Sequence, residues 1–355
     1  MYTIEIDLNK NEYLEEKIMD STVMAAPVKK GVTGTTLKII AIVAMFIDHF
    51  AAIFVQGYIT NLYAQLPEQP ENMVNLWQQS PKIVIAQCIM LLMRAIGRFG
   101  FPIFAFLLVE GFTHTRSVKK YALNLGIFAL ISEIPFNLGF MSLVSYPYYQ
   151  NVFFTLLLGL LCLWCISEFG EKKQWSEKLT PLYYVAGALL GAGIGFEISQ
   201  MGTLSMFTDV LYMNWYYVVA AGAVIGLIVM AALGSKFDAT AKNRFTFTVL
   251  PIVLFAFIGH ALKTDYADFG VLTIVIMYLL RNSRKKAFGW GTALLTAMSP
   301  LEAVAFFMMI PVSKYNGERG KKMNKYFFYA FYPAHILLIY LLTLALGFTG
   351  FGISM

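Results

Sequence analysis

Two ionisable residues, Asp48 and His49, stand side by side near the midpoint of an apolar stretch running from Leu37 to Thr60. About 20 apolar residues cross a bilayer, and an ionisable group at mid-depth costs roughly 2.5 to 3.5 kcal/mol even on the gentlest insertion scale. Such a cost makes function the default reading. His49 is the candidate general base, because a neutral imidazole can take a proton from an incoming nucleophile. Lys38 lies eleven residues earlier. At 100° per residue that returns to nearly the same helix face, about 1.5 nm away along the axis. The pair suits a large anionic donor held by its phosphates at one rim of the membrane while its reactive end reaches the imidazole. The plainer reading makes Lys38 a basic anchor and His49 a packing residue.

Asp48 points about 100° away from His49 around the helix, so its partner must come from another helix. Arg94 and Arg98, four apart on one face, are the matching cations, since an intramembrane arginine normally needs a carboxylate. The group reads equally as a structural clamp and as a substrate anion site. Glu133 falls mid-span, followed by Pro135 and Asn137; it can orient His49, bind an acceptor hydroxyl or amine, or pair structurally. His335, beside Tyr332 and Pro333 near the start of the last span, is the second candidate catalytic histidine. Glu110 and His114 share a helix face but lack a third ligand, so a polar cap outweighs a metal site. His260, Asp265 and Asp268 suit either acceptor contact or plain solvation. The loop Lys314 to Gly320 combines cations with flexible backbone, without the spacing of a P-loop.

The elements that carry these groups must be membrane helices. Of the 355 residues, 58% are hydrophobic and only 14% charged, with mean hydropathy +0.63, well above a soluble domain. The pattern predicts an all-α, polytopic integral membrane bundle of about ten hydrophobic segments. Residues 1–36 form a cytoplasmic extension and residues 37–355 the membrane domain. Lys and Arg cluster in alternate short connections, which sets a cytoplasmic N-terminus. The net charge of +6 therefore reflects orientation in the lipid bilayer and not nucleic-acid binding. Cys88, Cys162 and Cys165 sit in apolar runs and read as small hydrophobes. Gly187, Gly191 and Gly195 put a flat groove on one helix, suited to close helix packing. The run Ala287 to Val312 is flanked by basic residues on both sides and broken at Ser299, Pro300 and Glu302. It is expected to be a re-entrant hairpin, or else a true span whose basic loop serves outside.

Several blocks resemble the TraX family, whose founding member is associated with N-terminal acetylation of F-type pilin: LKIIAIVAMFIDHFAAIF (37–54), RAIGRFGFPIFAFLLVEGFTHT (94–115), YALNLGIFALISEIPF (121–136), QNVFFTLLLGL (150–160), DYADFGVL (265–272), YNGERG (315–320) and FYPAH (331–335). The family is distantly similar to membrane acyltransferases that use cytoplasmic acyl-CoA. In that class a basic residue on the first helix precedes a catalytic histidine by eleven positions, as Lys38 precedes His49, with Lys replacing the more usual Arg. The resemblance implies an acetyltransferase of a bacterial cytoplasmic membrane that uses acetyl-CoA as acyl donor. Its acceptor is an amine or hydroxyl on a protein N-terminus or an envelope saccharide. The donor phosphates are expected near Lys38, Lys119, Lys120 and the Asn316 to Arg319 loop. The rival expectation is a proton-coupled transporter with Asp48, His49, Arg94 and Glu133 as its polar pathway, and a third is a noncatalytic scaffold.

Overall fold

The computed structural model describes residues 30–200, 215–321 and 324–348. The expected N-terminal segments before Lys30, the start of the sixth span before Trp215 and the basic residue Lys322 lie outside the described residues. The chain begins with α1 (Gly34–Tyr63), a short surface helix α2 (Met73–Gln79), and a kinked pair, α3 (Pro81–Gly97) and α4 (Gly100–His114). Next come α5 (Val118–Met141), α6 (Val152–Cys165, prolonged by a wide π-helical turn to Lys172), α7 (Leu182–Gln200), α8 (Trp215–Gly234) and α9 (Ala239–Ala261). The short α10 (Ala267–Leu279), α11 (Arg284–Met298), the partly 3-10 helix α12 (Pro300–Ser313) and α13 (Lys325–Ala345) complete it. Among the described residues eight helical segments are long and apolar enough to cross a bilayer, the α3–α4 pair counting as one. With α10 and the α11–α12 pair they make up the ten expected segments.

Hydrogen bonds fix which ends lie together. At one end Val32 pairs with the chain around Tyr315, through Val32 N–H to the Lys314 carbonyl and Asn316 N–H to the Val32 carbonyl, both 2.9 Å. Arg284 donates to the Tyr315 carbonyl (2.8 Å), Arg281 meets Glu171 (2.9 Å), and Asn243 donates to the Ser176 carbonyl (3.1 Å). The basic connections after α6, α8, α10 and α12 thus share one face with the start of α1. At the opposite end Gln150 pairs with Lys263 and Asp265 through backbone bonds of 3.0 and 2.8 Å.

The run 287–312 does not cross. α11 and α12 pack against each other, and both feet, Arg284 and Tyr315, meet at the basic end. Ser299 is extended and Pro300 opens α12, so the reversal occurs at the predicted break. Irregular backbone at membrane depth is tolerated where protein covers it, and Ala287, Phe288, Leu295 and Ala305 are fully or almost fully buried. The same logic covers α10, whose 13 residues reach only about 20 Å of a hydrocarbon core about 30 Å thick. It survives at the centre of the bundle, with Val271, Ile274 and Met277 wholly buried against its neighbours.

The expected boundary at residues 36 and 37 falls inside the first helical turn. α1 begins at Gly34, Thr33 caps it by accepting from Thr36 N–H (3.2 Å), and the Gly34 and Thr35 amides donate to the Glu318 and Arg319 carbonyls, both 2.9 Å. At the periphery α7 and α8 pack backbone to backbone: a Cβ on Gly191 would overlap the Gly222 carbonyl, and one on Gly226 the Gly187 carbonyl. In lipid, helix association gains nothing from apolar burial, so close approach through small residues supplies the dispersion contacts instead.

Candidate functional site

His49 lies eleven residues after Lys38 on α1, 8% exposed, inside a box of aromatic rings. The edges of Phe140 and Tyr332 approach at centroid distances of 5.3 and 5.5 Å, and the His335 ring is nearly parallel, tilted by 4°. His49 Nδ1 is 2.7 Å from His335 Nε2, and His335 Nδ1 is 2.6 Å from the Phe331 carbonyl. A carbonyl can only accept, so His335 Nδ1 carries a hydrogen. In a neutral ring its Nε2 then bears a lone pair, which makes His49 Nδ1 the donor and leaves the His49 Nε2 lone pair free. The bond chain therefore fixes the tautomer that a general base needs. Just past His49 the helix opens into a π-helical turn, Ala51–Val55, a local widening that often accompanies functional sites.

The adjacent Asp48 meets Arg94 at 2.5 Å, as the helix geometry requires. Gly97 makes the approach possible, since a Cβ there would overlap the Asp48 carboxylate. Arg98 turns instead to Glu302, 2.9 Å away at the tip of the α11–α12 hairpin and wholly buried. The charges of Arg94 and Arg98 both act on His49. Asp265 and Tyr266 close this polar network from the opposite end. Tyr149 donates to Asp265 (2.9 Å), Thr155 donates to the Asp265 carbonyl, and Tyr266 stacks on Phe101 at 4.0 Å. Burial holds the Asp265 carboxyl above its ordinary range, opposed by its hydrogen bond to Tyr149 and the charge of Arg98. The loop is strained, with positive φ at Lys263, Tyr266 and Ala267 (49°, 64° and 42°), and such strain persists only where the surroundings over-determine it.

Lys38 and His49 do share a face, and both look at α13: the Lys38 ammonium lies 5.2 Å over the Phe328 ring while His49 meets His335. The Arg319 charge also acts on Lys38. Asn316 accepts from Glu318 N–H (2.9 Å) to hold the turn, and Thr35 bonds the Arg319 and Lys321 carbonyls through its hydroxyl (2.8 and 2.9 Å). Lys119 and Lys120 are exposed in the first turn of α5. Lys38, Arg319 and Lys321 thus flank the start of α1, well away from the imidazole.

Glu133 is not brought to His49. It accepts from the Asn151 side chain and backbone amide (3.1 Å to the latter) and lies 3.5 Å from Asn137 Nδ2. The residue of α5 that touches His49 is Phe140, on the same helix face two turns further along. Glu133 therefore docks the start of α6. His114 Nδ1 lies 2.8 Å from the Glu110 carbonyl, a polar cap, and no metal-binding cluster exists among the described residues. His260 pairs with Asp268 at 3.2 Å. Sequence reasoning did not foresee Glu302 as the partner of Arg98, or the roles of Tyr332 and Tyr266. The signals were a lone acid at a Ser-Pro break and tyrosines next to two marked residues.

Fold and site together define a multi-pass helical membrane protein with a buried histidine pair and two part-buried ion pairs in its bundle. The TraX protein family matches residues 33–250 and 201–343, and the chain belongs to that family. It is also similar to the probable fimbrial assembly protein FimC, serogroup H1, of Dichelobacter nodosus, at 24% identity over 312 residues, covering 85% of this chain and 92% of that one. No solved structure matches.

Proposed function

We propose that this protein is an acetyl-CoA-dependent membrane acetyltransferase with His49 as general base. The observation that carries the reading is the chain from the Phe331 carbonyl through His335 to His49, because it leaves the Nε2 lone pair of a buried His49 free among aromatic rings. The basic end faces the cytoplasm by the positive-inside rule, and there Lys38, Arg319 and Lys321 suit the phosphates of the donor, with Lys119 and Lys120 on the same face. The acceptor is an amine or hydroxyl, on a protein N-terminus or an envelope saccharide, arriving from the opposite end past Asp265 and Tyr266. His49 takes the acceptor proton as the new bond forms to the thioester carbon. The imidazolium then returns that proton to the departing thiolate, and His335 shares its charge through the 2.7 Å bond. Asp48, held by Arg94, fixes α1 at the depth this requires.

Purified protein incubated with radiolabelled acetyl-CoA and envelope extract is expected to release CoA and label an acceptor, both lost in His49→Ala. Absence of any His49-dependent release sinks the reading. The paired charges Asp48–Arg94 and Arg98–Glu302 within the membrane favour a second reading, a proton-coupled transporter. That reading predicts uptake in liposomes without acetyl-CoA.

A further inference from the structure

We propose that Tyr332 is a catalytic residue whose hydroxyl stabilises the oxyanion formed during acyl transfer; this rests on the reading of His49 as the base. Tyr332 is 2% exposed on α13 and its ring packs edge-on against His49, 5.5 Å between centroids. Its hydroxyl donates to no acceptor among the described residues. The one backbone group directed at it, the Val152 amide at the start of α6, is itself a donor. The phenolic proton is therefore uncommitted. A buried hydroxyl left without a partner costs about 1 to 3 kcal/mol, a cost the fold need not bear, since phenylalanine would fill the same space.

The chemistry next to His49 needs such a donor. When the acceptor's nitrogen or oxygen attacks the thioester carbon, the C=O π pair moves onto oxygen and His49 Nε2 takes the acceptor's proton. The tetrahedral oxyanion then re-forms the carbonyl, the C–S bond breaks, and the thiolate leaves with the proton from the imidazolium. An oxyanion in an apolar setting requires a preorganised donor. The unpartnered groups of the Asp48, Arg98 and Glu302 network do not offer one cleanly. Asp48 Oδ1 and Glu302 Oε2, also unpartnered, are acceptors and would repel the charge, while Arg98 has an unpartnered Nε but is held by Glu302. Tyr332 supplies a neutral O–H on the ring that packs against the base, three residues before the histidine that orients it.

The experiment compares wild type, His49→Ala and Tyr332→Phe in acetyl-CoA turnover by membranes carrying the full chain, with thermal unfolding in detergent as the second measurement. Tyr332→Phe keeps the ring against His49 and removes no hydrogen bond that the hydroxyl donates. It is expected to lower kcat by about 10² to 10³, with KM for acetyl-CoA within about threefold and the melting temperature unchanged. If wild type turns over, His49→Ala does not, and Tyr332→Phe matches wild type, the hydroxyl has no catalytic part and only this inference falls. If Tyr332→Phe loses several degrees of stability along with its activity, the hydroxyl has a structural partner and the inference again falls. If wild type shows no His49-dependent turnover at all, the inference falls together with the reading it rests on.

Discussion

Replacing Glu302 with alanine tests how the re-entrant hairpin is held. The carboxylate is wholly buried and meets Arg98, itself 17% exposed, at 2.9 Å. Removing one partner of a buried pair costs about 3 to 5 kcal/mol, because the surviving charge stays desolvated without its counter-charge. Here the charge of Asp48 also acts on Arg98, so the orphaned guanidinium keeps part of its compensation. The expected loss is then about 3 kcal/mol, at the lower end of that range. Removing both charges in Arg98→Leu/Glu302→Ala, with Arg98→Leu as the other single variant, leaves neither group stranded. The double variant should lose less than Glu302→Ala alone, with a coupling between the sites of about 2 kcal/mol. Denaturant-titrated unfolding in mixed micelles, followed by fluorescence with Trp290 on α11 as the local reporter, gives each leg of the cycle. A loss below about 1 kcal/mol for the single variant, or losses that simply add, would refute the claim that this pair anchors the hairpin.

Three further outcomes follow from named contacts. His335→Ala removes the acceptor for His49 Nδ1, and acetyl-CoA turnover should fall about 10²-fold. His335→Gln, whose amide oxygen can accept that hydrogen, should recover part of the loss, and wild-type rates in the alanine variant would contradict the tautomer argument. Gly97→Ala drives a methyl group into the Asp48 carboxylate and should destabilise the bundle by about 1 to 3 kcal/mol, read by thermal unfolding, with turnover reduced because α1 shifts. Gly191→Leu collides with the Gly222 carbonyl and should separate α8 from α7, visible as new protease sites around α8. Turnover should stay within about twofold if the peripheral hairpin takes no part in the site.

The sequence made the membrane layout legible because each segment carries its own signal. Apolar length marks α1, and basic clusters mark the ends. The Ser299–Pro300 break, placed between two sets of cations, sufficed to foretell the α11–α12 reversal. The Asp48–Arg94 pair was also within reach, since the 100° offset from His49 sends the carboxylate to another helix and Arg94 is an intramembrane cation in need of one. What could not be read were pairings across long stretches of chain. Glu133 has the right depth for a catalytic carboxylate, yet the entry of α6 beside it supplies Asn151 as a nearer partner. Nothing local in Arg98 points to Glu302. The contact of His49 with His335 required knowing that the first and last helices are neighbours, a fact of three-dimensional packing that leaves no periodic trace.

That neighbourhood has a consequence for biosynthesis. His49 and His335 are 286 positions apart, which at translation speeds of about 5 to 20 residues per second separates their emergence by roughly 15 to 60 s. The bonds from Val32, Gly34 and Thr35 to the 314–321 loop wait almost as long. A nascent or prematurely terminated chain can thus insert its first eight or nine hydrophobic segments and still lack the partner that orients its imidazole. Under the function proposed above, completion of the last helix would arm the site, and unfinished copies in the membrane would be inert.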